Sequence, residues 1–164
     1  AGIASPVRAC REDARHLEAF AHRAHDLLGW HVELYVDAAQ LGALKGVILD
    51  LPAVSIDHLG LSRAGFPTLL QLAERGIRVK ATGFGRVDFD VASALRELHS
   101  ANPSALMFGT DLPSTRAPRP YRDEDYELVI DALGPLAARR VLVDNACEFY
   151  KLKPPSADTK EDRP

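Results

Sequence analysis

Hydrophobic and polar positions along the chain follow two periods in turn. Residues 11–28, REDARHLEAFAHRAHDLL, place Leu17, Phe20, Ala21, Ala24, Leu27 and Leu28 at three-and-four spacing, the stripe of an amphipathic helix that Gly29 stops. The period then drops to two. In WHVELYVD, Trp30, Val32, Leu34 and Val36 share one face and His31, Glu33, Tyr35 and Asp37 the other, which predicts a strand with a polar second side. A helix-like segment at 38–50 leads through Pro52 into AVSIDH at 53–58, a short β-branched run ending on His58. The cycle repeats as helix 66–75, strand 77–83, helix 89–100, strand 105–111 and helix 123–133, before RRVLVDNACEFYKL. The opening AGIASPVRA reads as a strand end entering a loop. The polar, proline-flanked PPSADTKEDRP after Lys153 reads as a disordered tail, so the expected organisation is one unit at 1–152 and a tail at 153–164.

Four strand-then-helix units in regular order imply parallel strands, because each helix must carry the chain back to the same edge of the sheet. The fold class is therefore α/β. In sheets of this kind reactive groups collect at the carboxyl ends of the strands. Tyr35, His58 and Asp111 stand at or beside such ends, and Arg86 follows three residues after Gly83. Alternation groups Met107 and Gly109 with Asp111, and Val54 and Ile56 with His58; it sends Asp57 to the opposite face as a structural residue. A phenol, an imidazole, a carboxylate and a guanidinium are thus expected to converge on one mouth.

Composition narrows the partners. The chain has 164 residues, 46% of them apolar and 26% charged, enough for one sizeable core. Twenty basic against twenty-three acidic residues give a net charge of −3, which offers no basic stripe for nucleic acid and no polybasic cluster for a membrane surface. No apolar run approaches the roughly 18 residues that cross a bilayer, and the expected location is the cytoplasm. Cys10 and Cys147 lack the paired spacing of a zinc site and read as structural thiols.

The segments GWHVELYVDA, VSIDHLG, VKATGFGR, FGTDLP and VLVDNACEFYKL, in this order, resemble the amidohydrolase-2 family of the amidohydrolase superfamily, a set of (β/α)8-barrel hydrolases and decarboxylases. Within it the chain looks most like the 2-pyrone-4,6-dicarboxylate lactonases. The resemblance covers about residues 8–152 and implies strands five to eight of a TIM-type barrel, a half-barrel, since a complete one needs about 250 residues. It also implies roles. Asp111 would activate water as general base and His58 would polarise the carbonyl under attack. Tyr35, Arg86 and Arg8 would bind the carboxylates of a small substrate, a guanidinium gripping such a group with two bonds. Metal-dependent members carry a histidine where Tyr35 stands, so no cofactor is expected. The alternative is one zinc or manganese ion on His58 and Asp111, in a decarboxylase or amide hydrolase. A further alternative is a non-catalytic fragment that self-associates or pairs with a missing N-terminal half. The family's usual DHLGRP and GTDWPH are DHLGLSR and GTDLPS here, with Arg63 a stand-in for the lost arginine and Arg116 and Arg119 as loop charges. His16, His22 and His25 read as a polar helix face, and Lys80 as a structural strand residue.

Overall fold

The computed structural model describes residues 2–5 and 11–155, with side chains from residue 16 onward except Leu17. Five parallel strands pair in chain order: β1 Gly2–Ser5, β2 His31–Leu34, β3 Val54–Ile56, β4 Arg78–Ala81 and β5 Leu106–Phe108. Between them run α1 Arg11–Leu28, α2 Leu41–Asp50, α3 Phe66–Glu74 and α4 Val91–Ala101. The opening strand end is thus a fifth strand, β1, whose residues 2–5 lie in register with 31–34 of β2. Strand order never reverses along the sheet, so every crossover lies on the same side and the sheet is an arc of a barrel rather than a doubly wound layer.

One face of that arc is apolar. Val32, Leu34, Val54, Ile56, Val79, Ala81 and Leu106 are buried against Leu41, Leu44 and Ile48 of α2, Phe66, Leu69 and Leu72 of α3, and Leu95 and Leu98 of α4. Fully burying a side chain of this size contributes roughly 1.5–3 kcal/mol, which makes this layer the main source of stability. The helix ends follow from local chemistry. The Asp90 carboxylate accepts from the Ser93 backbone N–H at 2.7 Å to cap α4, and Pro67 in the first turn of α3 has no N–H to leave unpaired. Helix α1 departs from its sequence pattern: Ala21 and Ala24 face inward while Phe20, Leu27 and Leu28 are exposed. Small residues let this helix sit close to the sheet, and the larger ones point outward.

The opposite face of the arc is polar, and register fixes who meets whom. Glu33 stands opposite Ser55, Ser55 opposite Arg78, and Lys80 opposite Met107. Beyond β5 the chain forms α5 Asp123–Leu133, then α6 Pro135–Arg139, a wide π-type turn over Arg140–Asp144 and α7 Asn145–Phe149. Asn145, buried in that last segment, donates to the carbonyls of Pro103 and Leu106 at 3.0 and 2.8 Å and so fastens it to the start of β5. This brings Ala146 and Tyr150 to the polar face.

Candidate active site

At the carboxyl ends of the strands a cavity of about 360 Å³ is lined by Glu33, Asp57, His58, Lys80, Thr82, Asp111 and Tyr150 among others. Its rim holds the two residues that the sequence marks for chemistry. His58 Nε2 lies 3.9 Å from Asp111 Oδ1. That gap is too long for a hydrogen bond and leaves a carboxylate oxygen and a ring nitrogen facing the same space. Arg86 reaches the other oxygen of Asp111, with Nε 2.7 Å from Oδ2, and its Nη2 donates to the Thr115 carbonyl at 3.0 Å. The Tyr35 ring stands edge-on to the His58 ring at 5.5 Å. His58 and Asp111 thus line the mouth, with Tyr35 packed on the first and Arg86 bound to the second. Arg86 meets the mouth through Asp111, leaving Nη1 as the guanidinium nitrogen without a partner among the described residues. Arg8 lies outside the described residues.

Alternation alone puts His58 in the wrong place. On an unbroken strand it would share the helix-facing side with Val54 and Ile56, both buried in the core. The strand ends at Ile56, and His58 and Leu59 take left-handed backbone conformations, with φ of 50° and 52°. The turn swings the imidazole into the cavity, where Nδ1 sits 2.8 Å from Thr82 Oγ1. Such a conformation is costly for ordinary residues, of order 1–3 kcal/mol each, and occurs where the surroundings hold it. Asp111 is likewise left-handed, at φ 58°, a region that Asp tolerates better than most.

Asp57 and Lys80 belong to the floor of the cavity. The face opposite the core is the cavity face, and both line it. Lys80 Nζ bridges the carboxylates of Glu33, at 2.5 Å, and Asp57, at 3.2 Å. Burial works against the Lys80 charge, but those two carboxylates more than offset it and raise its pKa. His31 and Lys80 hold the Glu33 carboxyl down to about 2, while burial pushes that of Asp57 up to about 6. On this face the buried Ser55 Oγ has no hydrogen-bond partner among the described residues, while Asp57 Oδ1 faces Lys80 Nζ at 3.2 Å and His31 Nε2 lies 3.9 Å from the Glu33 carboxylate. Glu33, Asp57, Lys80 and Thr82 were legible only in part: alternation marks their face as polar, but register and the last helix decide that it faces a cavity.

A pH dependence follows from Asp57. Its folded pKa of about 6 exceeds the unfolded 3.8, so between these values the folded state binds more protons and stability falls as pH rises. Asp57→Asn is expected to flatten that fall, measured as urea unfolding free energy at pH steps across the window. An unchanged slope assigns the dependence elsewhere.

Four other basic and imidazole groups have partners of their own. Arg63 donates to the Glu97 carboxylate at 2.8 Å, and Arg119 to Asp125 at 2.7 Å. Neither lines the cavity. His22 Nε2 is 2.9 Å from the Asp50 carbonyl and His25 Nδ1 3.0 Å from that of Trp30, consistent with a polar helix face.

The sequence model of the amidohydrolase family matches residues 8–152. The chain belongs to this family. Two solved structures share its architecture. A protein of Agrobacterium tumefaciens, crystallised in its apo form, is 26% identical with a TM-score of 0.66, over 86% of this chain and 56% of that one. Amidohydrolase 2 from Bifidobacterium longum subsp. infantis is 21% identical with a TM-score of 0.68, over 93% of this chain and 62% of its own. The chain thus spans less than two thirds of either, and its fold is a partial barrel of the amidohydrolase type. No curated protein matches it significantly.

A metal ion is the family's alternative source of activated water. His58 and Asp111 are the two candidate ligands at the mouth, yet no group of three His, Cys, Asp or Glu side chains suited to an ion occurs among the described residues. Arg86 also places a cation against the second oxygen of Asp111. The described residues by themselves therefore supply no complete set of metal ligands. No helix among them is long and apolar enough to cross a membrane.

Proposed function

We propose that the protein is a hydrolase that opens a carboxylated lactone ring, with Asp111 as general base and His58 as the group that polarises the carbonyl. The observation that carries this reading is the 3.9 Å gap between His58 Nε2 and Asp111 Oδ1 at the mouth of the cavity. A water held by the Asp111 carboxylate gives up a proton to it as its oxygen bonds to the lactone carbonyl carbon. Negative charge moves onto the carbonyl oxygen, where a donor on His58 stabilises it. Collapse breaks the ring carbon–oxygen bond, and the departing alkoxide takes the proton back from Asp111. Water is consumed and the open-chain hydroxy acid is released. Burial and the neighbouring Arg86 cation lower the pKa of His58 against the opposing pull of Asp111, which favours the neutral imidazole, and that form donates from whichever nitrogen carries its proton.

Arg86 has a double part here. Nε holds Asp111 in place, Nη1 is available to a substrate carboxylate, and Tyr35, half-exposed against the His58 ring, offers its hydroxyl as a further donor. The five strands form an arc of the barrel. In this reading they are its C-terminal half, and the other strands come from elsewhere in the functional protein, on the same chain or on another. The site is expected to work without a cofactor, in the cytoplasm, on a small molecule rather than a nucleic acid or a membrane.

The test is hydrolysis of a six-membered lactone bearing carboxylates, by the complete protein, with and without a chelator. Ring opening that persists in chelator supports the reading. No ring opening, or turnover that appears only when zinc or manganese is added, overturns it.

A further inference from the structure

The imidazole of His58 can perform its part only if the correct nitrogen carries the proton, and the end of β4 bears on which one does. Thr82 Oγ1 is 2.8 Å from His58 Nδ1, and both residues are 8% exposed. A threonine side chain is stiff at its first torsion. Here the methyl is held as well, because a Cβ on Gly109 would lie 2.9 Å from Thr82 Cγ2, so the chain just past β5 runs close against it. The next residue, Gly83, is left-handed at φ 58°, and a Cβ there would lie 2.8 Å from His58 Nδ1 and 2.9 Å from Arg86 Cδ. Thr82 and Gly83 together form a seat for one edge of the ring.

Two arrangements fit a hydroxyl beside Nδ1. If the ring donates from Nδ1, the Thr82 proton needs another acceptor, and no side chain or carbonyl among the described residues takes it. If Thr82 donates instead, its proton is satisfied by Nδ1 and the ring proton sits on Nε2. That nitrogen faces Asp111. A histidine bound to a metal through Nε2 needs the reverse, with Nδ1 donating to a carbonyl, carboxylate or water.

We propose that Thr82 is a positioning residue that donates its hydroxyl proton to His58 Nδ1, fixing the Nε2–H tautomer and making His58 a hydrogen-bond donor at the mouth. This rests on the reading of His58 as the carbonyl-polarising group, but its first readout needs no substrate. Nitrogen NMR of the full-length protein with labelled histidine reports which ring nitrogen of His58 is protonated, and His58→Gln identifies the signal. The expected result is Nε2–H in the parent. In Thr82→Val, which keeps the shape and removes the hydroxyl, the preference is lost and kcat on the lactone falls about tenfold with little change in KM, the size of one hydrogen bond. Thr82→Ser restores both. A parent protonated on Nδ1, or a valine variant with the parent's tautomer, overturns the proposal. If the tautomer is Nε2–H and no lactone is opened, the hydrolase reading falls and the Thr82 assignment stands. If lactones are opened by a protein whose His58 carries its proton on Nδ1, the Thr82 assignment and the carbonyl-polarising part of His58 fall, and only the hydrolase activity stands.

Discussion

Asp111→Asn in the complete protein is expected to lower turnover of a carboxylated lactone by about 10²–10⁴-fold, the usual contribution of a positioned general base, with little change in KM. An amide cannot accept the proton that the attacking water must lose. The change is otherwise mild. Asparagine tolerates the left-handed conformation that Asp111 adopts at φ 58°, and its carbonyl oxygen can still accept from Arg86 Nε, now 2.7 Å from the carboxylate. Circular dichroism and the unfolding midpoint should therefore match the parent. A folded variant that keeps turnover within about tenfold removes Asp111 from the role of base.

Lys80→Met is expected to have the largest effect on stability. Lys80 Nζ lies between the Glu33 and Asp57 carboxylates, and without it two acids face each other across the cavity floor. Removing one partner of a buried ion pair costs about 3–5 kcal/mol; the Glu33 side chain is 28% exposed, so the low end, about 3 kcal/mol, applies. The loss should depend on pH in a defined direction. In the parent, burial already raises the Asp57 pKa to about 6 against the pull of Lys80, and removing that cation raises it further. At about pH 5 Asp57 is then protonated and the repulsion is relieved, whereas at about pH 8 both acids are charged, so the destabilisation grows with pH. Denaturant midpoints of variant and parent at the two pH values check this. Equal midpoints at the higher pH would sink the account of Lys80 as the cation that holds the floor together.

The pair of Asp57 and His58 shows where reading along the chain succeeds and fails. Alternation assigned these neighbours to opposite faces. The assignment failed because His58 and Leu59 leave the strand in a left-handed turn, which no local pattern in VSIDHLG announces. The same neighbours also show that the face opposite the core is not idle: Asp57, opposite in direction to Ile56, points to the cavity floor. Arg86 teaches a related point. Its place after β4 was legible, but its bond to Asp111 joins residues 25 positions apart and exists only once two strand ends are side by side.

What the sequence determined by itself is the alternation of strand and helix, the parallel sheet that follows, the family, and the placing of Tyr35, His58, Arg86 and Asp111 near strand ends. These are consequences of local periodicity and short motifs, carried by residues near each other in the chain. Tertiary structure decided which way His58 faces, that Glu33, Asp57 and Lys80 form one charged cluster, that Thr82 meets the imidazole, and that Tyr150, just past the last helix, lines the cavity. Each of these depends on strand register or on a backbone turn, so the energy that selects it comes from contacts between distant segments and leaves no period in the sequence to read.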